Sequence, residues 1–445
     1  MNQDPNRSEP RIAYRDSRAA SLRILYGRRP HGLRRLLSLI AVSVLAFIAW
    51  RWLTVDLTVD QQAVLFLFML AVGLWVTEAV PAFATGLMIL GYLVFVLGTP
   101  LLLDEPQDVQ PYVGMFSNSV IWLMLGGFFM AEGLARTGLD RRLLALAIRP
   151  AGDRPTRVLL AVMGVTAVAS MFISNTSTTA RMIGAVMPLV RALDRNEPFA
   201  RALLIGIPVA AAVGGMGTII GSAPNAIAAG VAEEFGYHID FVEWMLVGMP
   251  VALLLVFCSW LLLRRRYPPG IDRVILSLEP DSETPLATSR DRLVVISVTA
   301  LTIGMWLTSP LHGVHPAAIA MIPIVGLTMS RVLGAEEVRS LPWDTLMLVS
   351  GGLALGAAMA DTGLAARIAD VLTVLAGLES VLPVFAALAL LTVALSNVMS
   401  NTATVSLMLP VAVALVPGNE LGLCLALGLS ASCLLYTSDA ADDSV

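Results

Sequence analysis

Two short polar segments contain the same triplet, Ser-Asn-Thr, among apolar residues. Residues 172–180 are FISNTSTTA, and residues 398–406 are VMSNTATVS. Amide, hydroxyl and carbonyl oxygens suit a small hard cation, and the free N–H groups of a helix start suit a carboxylate. A single triplet could be two ordinary helix caps. Two copies at matching positions instead indicate a binding site built without formal charge.

A third polar interruption lies at residues 214–230, GGMGTIIGSAPNAIAAG. Pro224 lacks a backbone donor, and glycines allow a ligand to approach the backbone. A proline-kinked, closely packed helix is the alternative interpretation. Because the interruption follows soon after the first triplet, we predict a broken helix that contributes to the same site.

The elements that position these segments are predicted to be membrane spans. Of the 445 residues, 57% are hydrophobic and 14% are charged, whereas soluble domains have about 25% charged residues. The mean hydropathy is +0.78. The fold class is therefore expected to be an all-α polytopic membrane protein. Apolar stretches close to bilayer-spanning length lie at 36–55, 62–80, 83–99, 116–135, 157–173, 199–220, 242–263, 292–308, 314–333, 344–360, 381–396 and 420–435.

Arginines indicate the orientation of the chain. Nine arginines lie in residues 1–35, directly before the first span, and three more lie at Arg264–Arg266. The positive-inside rule places both groups in the cytoplasm. Nucleic-acid binding is the alternative for the first group, but its position beside a span favours topology and anionic lipid. We expect a multi-pass protein of the inner (plasma) membrane with a cytoplasmic N-terminus and no nucleic-acid partner.

The two halves of the chain resemble each other. Gly126-Gly127 aligns with Gly351-Gly352, and Asn175 aligns with Asn401. The separation in sequence between the paired residues is the same in both cases to within one position. Five predicted spans separate the triplets, and an odd number gives an inverted repeat, the arrangement of transporters with a midplane site. Each triplet lies between short apolar stretches, which predicts two re-entrant hairpins. The predicted regions are a basic N-terminus 1–35, a first repeat 36–263 with hairpin 157–192 and broken helix 199–232, a cytoplasmic linker 264–291, and an incomplete second repeat 292–432 with hairpin 381–416.

Charge considerations favour a coupling cation. Each helix start carries about half a positive charge, so two tips supply about one against the two negative charges of a dicarboxylate. Neither triplet contains Lys or His, and bound sodium would provide the missing charge. Arg181 follows the first triplet and is the alternative source.

The motifs together resemble the divalent anion:sodium symporters. Besides the twin triplets and the Gly-Ser-x-Pro-Asn break, WVTEAVPAFAT at residues 75–85 fits that family's pattern through Trp75, Thr77, Glu78, Ala79, Pro81 and Thr85. The resemblance covers about residues 60–432. It implies sodium-driven uptake of small divalent anions: C4-dicarboxylates such as succinate, or citrate or sulfate. It also implies no cofactor beyond the coupling sodium ions, and a homodimer with an elevator-type mobile domain.

The resemblance also implies the site residues. The substrate contacts would be Asn175, Thr176, Ser222, Ser400, Asn401 and Thr402. One sodium ion would be held by Ser170, Ser174, Asn175 and the Gly221 carbonyl, and part of another by Ser396, the Met399 carbonyl and Asn401. Two departures from the family are Ala223, in place of a proline, and a longer segment from Ser177 to Pro188 that contains Arg181. Because some members are exchangers with basic residues in place of sodium, a sodium-independent exchanger stays open.

The last residues depart from the family. CLLYTSDAADD at 433–443 resembles the translation of a sequencing adapter. We therefore expect 433–445 to be a non-native tail and a second Pro-Asn break to be missing near position 447, so that this chain itself would not transport. A divergent natural tail is the alternative.

Other functions are disfavoured by the residues. An arsenite or sodium/proton antiporter would favour intramembrane carboxylates, and the tips have Asn and Ser instead. An intramembrane hydrolase would need a His-Glu-x-x-His run, paired aspartates or a Ser/His pair, which the spans lack. A purely structural membrane protein would not need duplicated polar tips.

Overall fold

A computed structural model of the chain describes residues 32–53, 56–100, 106–139, 152–194, 197–274, 288–376 and 381–432. The regular structure of these ranges is helical throughout, which confirms the all-α prediction. Most of the predicted basic N-terminus, part of the predicted linker and the predicted tail 433–445 lie outside the described residues.

The main helices fall into two sets. The first set consists of α1 (Gly32–Leu53), α2 (Val59–Thr77), α3 (Ala82–Leu97), α4 (Ser119–Thr137), α5 (Pro155–Ser170), α6 (Asn175–Ala192), α7 (Pro198–Gly214), α8 (Ala223–Glu234) and α9 (Phe241–Arg266). The second set consists of α10 (Ser289–Leu307), α11 (Met321–Met329), α12 (Trp343–Asp361), α13 (Leu364–Ala376), α14 (Val381–Ser396), α15 (Asn401–Leu415) and α16 (Glu420–Ala431). Shorter helical pieces are Gln110–Val113, Gly114–Ser117, Gly215–Gly217, Ile219–Gly221, Ser309–His312, Pro316–Ile319 and Ala335–Arg339.

The lengths and surfaces of these helices fit a membrane protein. Large apolar side chains of α9, such as Leu246, Leu254 and Phe257, face outward, a position that lipid tolerates and water does not. Within the described residues, six helical segments are long and apolar enough to cross a membrane: Leu36–Leu53, Val59–Thr77, Gln110–Thr137, Pro198–Gly217, Phe241–Arg266 and Trp343–Asp361. Shorter apolar helices include α5, α14, α15 and α16.

The predicted duplication is visible in the helix boundaries. Helices α5 and α14 each have 16 residues. The separation in sequence between their first residues is therefore the same as that between their last residues. The helices that follow them begin at Asn175 and Asn401, at that same separation. Gly138 and Gly363, which follow α4 and α12, both have positive φ, 66° and 73°. The inverted orientation of the halves stays a prediction.

The repeated Gly-Gly pairs are packing contacts. A Cβ on Gly126 would lie 2.8 Å from the Ala320 carbonyl oxygen, and one on Gly351 would collide with the backbone of Gly86. Only glycine allows α4 to approach the segment before α11, and α12 to approach α3, this closely. These glycines therefore set the distances between helices rather than contact a ligand.

The helices that surround the tips pack in two groups. Helix α7 contacts α5, α6 and α9, whereas α8 contacts α15 and α16. Helix α13, amphipathic and absent from the predicted spans, packs against α15. The broken helix α7–α8 therefore joins the first hairpin to the second.

Candidate functional site

The first tip is a turn between two helices, as predicted. Helix α5 ends at Ser170 and α6 begins at Asn175, and the two helices together span 155–192, the part of the chain predicted as hairpin 157–192. Ser174 is the N-cap of α6, and its hydroxyl accepts a hydrogen bond from the Ser177 amide at 3.3 Å. The side chain thereby satisfies one of the four free N–H groups of the helix start.

The second tip repeats this local structure. Helix α14 ends at Ser396, and the Ser400 hydroxyl accepts from the Ala403 amide at 3.2 Å. The Ser400 carbonyl oxygen also accepts from the Thr404 hydroxyl at 3.0 Å. Both triplets therefore begin a helix, with Ser as cap and with Asn and Thr in the first turn.

The helix break lies where the sequence predicts it. Helix α7 ends at Gly214, and α8 begins at Ala223 after two short 3₁₀ pieces. Pro224 lies in the first turn of α8. A backbone N–H at that position would have no acceptor within the helix, so a proline there costs no helical hydrogen bond. The predicted broken helix 199–232 is thus two helices with an irregular link between them.

Asn225 and Thr218, which are not among the predicted site residues, hold this link. The Asn225 amide nitrogen donates to the Gly215 and Thr218 carbonyl oxygens, at 2.8 Å each. The Thr218 hydroxyl donates to the Met171 carbonyl oxygen and accepts from the Gly221 amide. Thr218 therefore ties the link to the first tip. As polar residues within GTIIGSAPN, Thr218 and Asn225 could have been recognised from the sequence as candidates for this role.

Three of the predicted ligands of the first sodium ion come together. One atom of the Asn175 side-chain amide lies 2.6 Å from the Ser170 hydroxyl, 3.1 Å from the Ala211 carbonyl oxygen and 3.3 Å from the Gly221 carbonyl oxygen. The acceptors around it identify that atom as the amide nitrogen, whose two N–H groups are shared among the three oxygens. With the amide turned over, four oxygen atoms would lie close together instead. The Ser174 hydroxyl, the fourth predicted ligand, is used in the cap of α6.

The predicted ligands of the second sodium ion are not brought together in the same way. The Ser396 hydroxyl donates to the Val393 carbonyl oxygen of its own helix at 3.0 Å. Met399 is buried in the turn. Within the described part of the chain, no hydrogen bond links the Asn401 side chain to another segment.

The predicted substrate contacts occupy three helix starts. Thr176 lies exposed in the first turn of α6, while Asn401 and Thr402 lie half-buried in the first turn of α15. Ser222 precedes α8, and its buried hydroxyl lies 3.0 Å from the Ser432 hydroxyl at the end of α16. The break of the first half therefore contacts the second half.

The segment WVTEAVPAFAT is a tight connection between α2 and α3. Trp75 is buried, and its indole N–H donates to the Ala82 carbonyl oxygen at 3.3 Å. Glu78 ends α2 with a φ of 48°. In this structure the motif forms the turn between these two helices.

Comparisons with known proteins agree with this architecture. The sequence matches the family described as citrate transporter, CitMHS, over residues 64–436. It is similar to the sodium-dependent dicarboxylate transporter SdcS of Staphylococcus saprophyticus, with 30% identity over 387 residues, 77% of this chain and 72% of the relative. SdcS of Staphylococcus aureus strain USA300 is 31% identical over 373 residues, 76% of this chain and 69% of that protein.

These matches decide the class of the protein. Both the family and the relatives are transporters, which confirms the prediction that the chain is not an enzyme. They also confirm the resemblance inferred from the triplets, the helix break and the Trp75 segment. The chain therefore belongs to the citrate transporter family and, with these relatives, to the divalent anion:sodium symporters.

Proposed function

We propose that the chain is a secondary transporter that carries small divalent anions, either C4-dicarboxylates such as succinate or citrate or sulfate, together with sodium. The observation that carries this proposal is the cluster of three oxygen atoms, from Ser170, Ala211 and Gly221, around the Asn175 side-chain amide at the first tip. The names of the relatives support sodium coupling and a dicarboxylate substrate.

The oxygen atoms at the first tip suit sodium. A hydroxyl, two carbonyls and an amide oxygen are neutral hard ligands, and they satisfy a monovalent cation without adding formal charge. We assign this ion to the predicted set Ser170, Ser174, Asn175 and Gly221 and add the Ala211 carbonyl oxygen. The Ser174 hydroxyl oxygen has a second lone pair for the ion while it accepts from the Ser177 amide. Without the ion, the Asn175 amide nitrogen can face the same carbonyls, so a rotation of the amide exchanges hydrogen bonds for ion contacts. We assign part of a second site to Ser396, Met399 and Asn401.

The helix starts suit the anion. The first turns of α6 and α15 present backbone N–H groups and the hydroxyls of Thr176 and Thr402. Two helix starts supply about one positive charge, so the coupled sodium ions balance the rest of a dicarboxylate. We assign the substrate to Asn175, Thr176, Ser222, Ser400, Asn401 and Thr402.

The larger organisation follows from the family resemblance. We propose a homodimer in the inner (plasma) membrane with a cytoplasmic N-terminus, in which the two hairpins and the broken helix move as one elevator-type body. The contacts of α8 with α15 and α16 support a joint movement of both halves.

Radiolabelled succinate uptake into proteoliposomes tests the proposal. The reading frame is assayed both as the 445-residue chain and as it is read from the source DNA. We expect uptake that requires an inward sodium gradient and that Asn175→Ala abolishes. Gly184→Ala is the matched control in the same helix, since a Cβ there meets nothing within 4 Å.

The possible outcomes separate the alternatives. Uptake that needs an internal dicarboxylate but no sodium would identify the exchanger, and Arg181→Gln would then be the next variant to assay. If neither form takes up succinate, citrate or sulfate, the proposed function is wrong.

A further inference from the structure

A second group of ligand-type side chains lies away from both tips. Glu233 lies in the last turn of α8, His238 lies in the loop before α9, and His315 precedes the helical turn Pro316–Ile319. One Glu233 carboxylate oxygen is 3.6 Å from His238 Nδ1 and 3.5 Å from His315 Nε2. The three ligand atoms all lie within 4.8 Å of one another.

Two of the three spacings between these atoms fit a tetrahedral metal ion. Bonds of about 2.0–2.2 Å in a tetrahedron place ligand atoms about 3.3–3.6 Å apart, and the two Glu233 distances match this range. Two imidazole nitrogens with one carboxylate oxygen are a ligand set of zinc, with one position left open. Calcium and magnesium, by contrast, take oxygen ligands.

The surroundings orient the ligands and leave them accessible. The Ser119 hydroxyl donates to the other carboxylate oxygen of Glu233 at 2.5 Å, as outer-shell partners of metal ligands do. All three residues line a cavity of about 330 Å³, and Asp240 adds a further carboxylate to its wall. A cation can therefore enter, and it meets negative charge.

We propose that Glu233, His238 and His315 bind one divalent transition-metal ion of the zinc class. The Ala317 amide donates to His315 Nδ1 at 3.2 Å, which places the proton of the neutral ring on Nε2. Ligation through Nε2 moves that proton to Nδ1 and releases the Ala317 bond.

The position of the site suggests its effect. Helix α9 has 26 residues and is about 39 Å long, so the site near its start is a membrane thickness away from Arg264–Arg266. The positive-inside rule then places the site on the outer face. A bound ion joins the end of α8 to the segment before α11, and, if the proposed function holds, it restrains α8 and slows uptake.

Zinc binding to the purified full chain tests the site without any transport assay. The chain is produced with a tag that lacks histidine and in a Cys258→Ser background, because that exposed thiol also binds zinc. Competition with a chromogenic zinc indicator should show one ion per chain. We expect His238→Asn, His315→Asn and Glu233→Gln each to weaken binding about tenfold or more, since even outer-shell changes have that effect.

His312→Asn is the matched control. His312 ends the short helical piece Ser309–His312, close to His315 in the chain. Its ring contacts the Met305 carbonyl oxygen and the Val314 amide instead. We expect this variant to bind zinc like the parent, and thermal unfolding checks that every variant is folded. The proposal is overturned if the parent binds zinc no more tightly than the His238/His315 double variant, or if His312→Asn loses as much affinity as His315→Asn. A chain that binds zinc but takes up no anion would refute only the proposed function.

Discussion

In the first tip the Asn175 amide contacts Ser170, Ala211 and Gly221, whereas in the second tip Asn401 makes no such contact within the described residues. The two tips nevertheless share the Ser-Asn-Thr triplet and the serine cap. In each tip one helix ends at a serine and the next helix begins at the asparagine of the triplet. The caps need only residues within one turn, and both tips supply them. The orientation of the asparagine instead depends on a second segment, the helix break, that packs beside it.

This difference separates two roles of the triplet. Its serine stabilises a helix start wherever the triplet occurs. Its asparagine becomes part of an ordered site only where carbonyl oxygens from another helix surround it. We therefore expect the two tips to respond alike to changes in the cap and differently to changes in the asparagine and its surroundings.

The largest effect is expected at Gly215, which lies against the first tip only. An added Cβ would collide with the Asn175 amide and lie 2.9 Å from the Gly221 carbonyl oxygen. We expect Gly215→Ala to lower the free energy of unfolding by about 1–3 kcal/mol and to abolish succinate uptake. Gly164→Ala is the control within α5, because nothing lies within 4 Å of its added Cβ. Equal uptake by both variants would contradict the packing described here.

The asparagines themselves test the comparison directly. Asn175→Ala leaves the Gly221 carbonyl oxygen without that partner, whereas the Ala211 carbonyl oxygen still accepts from the Gly215 amide. An unsatisfied buried group costs about 1–3 kcal/mol. Asn401→Ala removes no such bond, so its effect on stability should be clearly smaller. Thermal unfolding in detergent without sodium measures the stability of both variants. Addition of sodium should then stabilise the parent more than Asn175→Ala. The same loss of stability in both variants would show that the tips are equivalent.

A pair of threonines gives a finer test. Thr218→Val removes the bond to the Met171 carbonyl oxygen, which joins two segments, and we expect a loss of about 1–2 kcal/mol. Thr404→Val removes a bond to the Ser400 carbonyl oxygen, which still accepts from the Thr404 amide at 2.9 Å. In denaturant unfolding, the free energy of unfolding of Thr404→Val should therefore be close to that of the parent. If Thr404→Val is the more destabilised of the two, the link is not held as we describe.

The smallest effects should be equal in the two tips. Ser174→Ala and Ser400→Ala each remove one cap bond, of 3.3 and 3.2 Å. Each should lower the free energy of unfolding by about 1 kcal/mol, as measured by the same thermal scans. Ser174→Thr and Ser400→Thr keep a cap hydroxyl and should restore most of the loss. A clear inequality between the two alanine variants would mean that the caps differ after all.

The sequence by itself determined the class of the protein and the local structure of its tips. Pairs of helices lie at 155–192 and 381–415, where the sequence predicts hairpins at 157–192 and 381–416, and their re-entrant character stays a prediction. The break was located from its glycines and Pro224. These features depend on composition, on apolar length and on residues within one helical turn. Such short-range rules can be applied to a sequence without knowledge of the fold.

Only the tertiary structure decided which of these polar groups meet. It placed Asn175 against Ala211 and Gly221, and it tied Thr218 to Met171. It also brought His315 beside Glu233, although the whole of α9 and α10 lies between them in the chain. These contacts depend on how whole helices pack, and that packing is fixed by close approaches such as Gly126 against Ala320, whose partners no local pattern identifies.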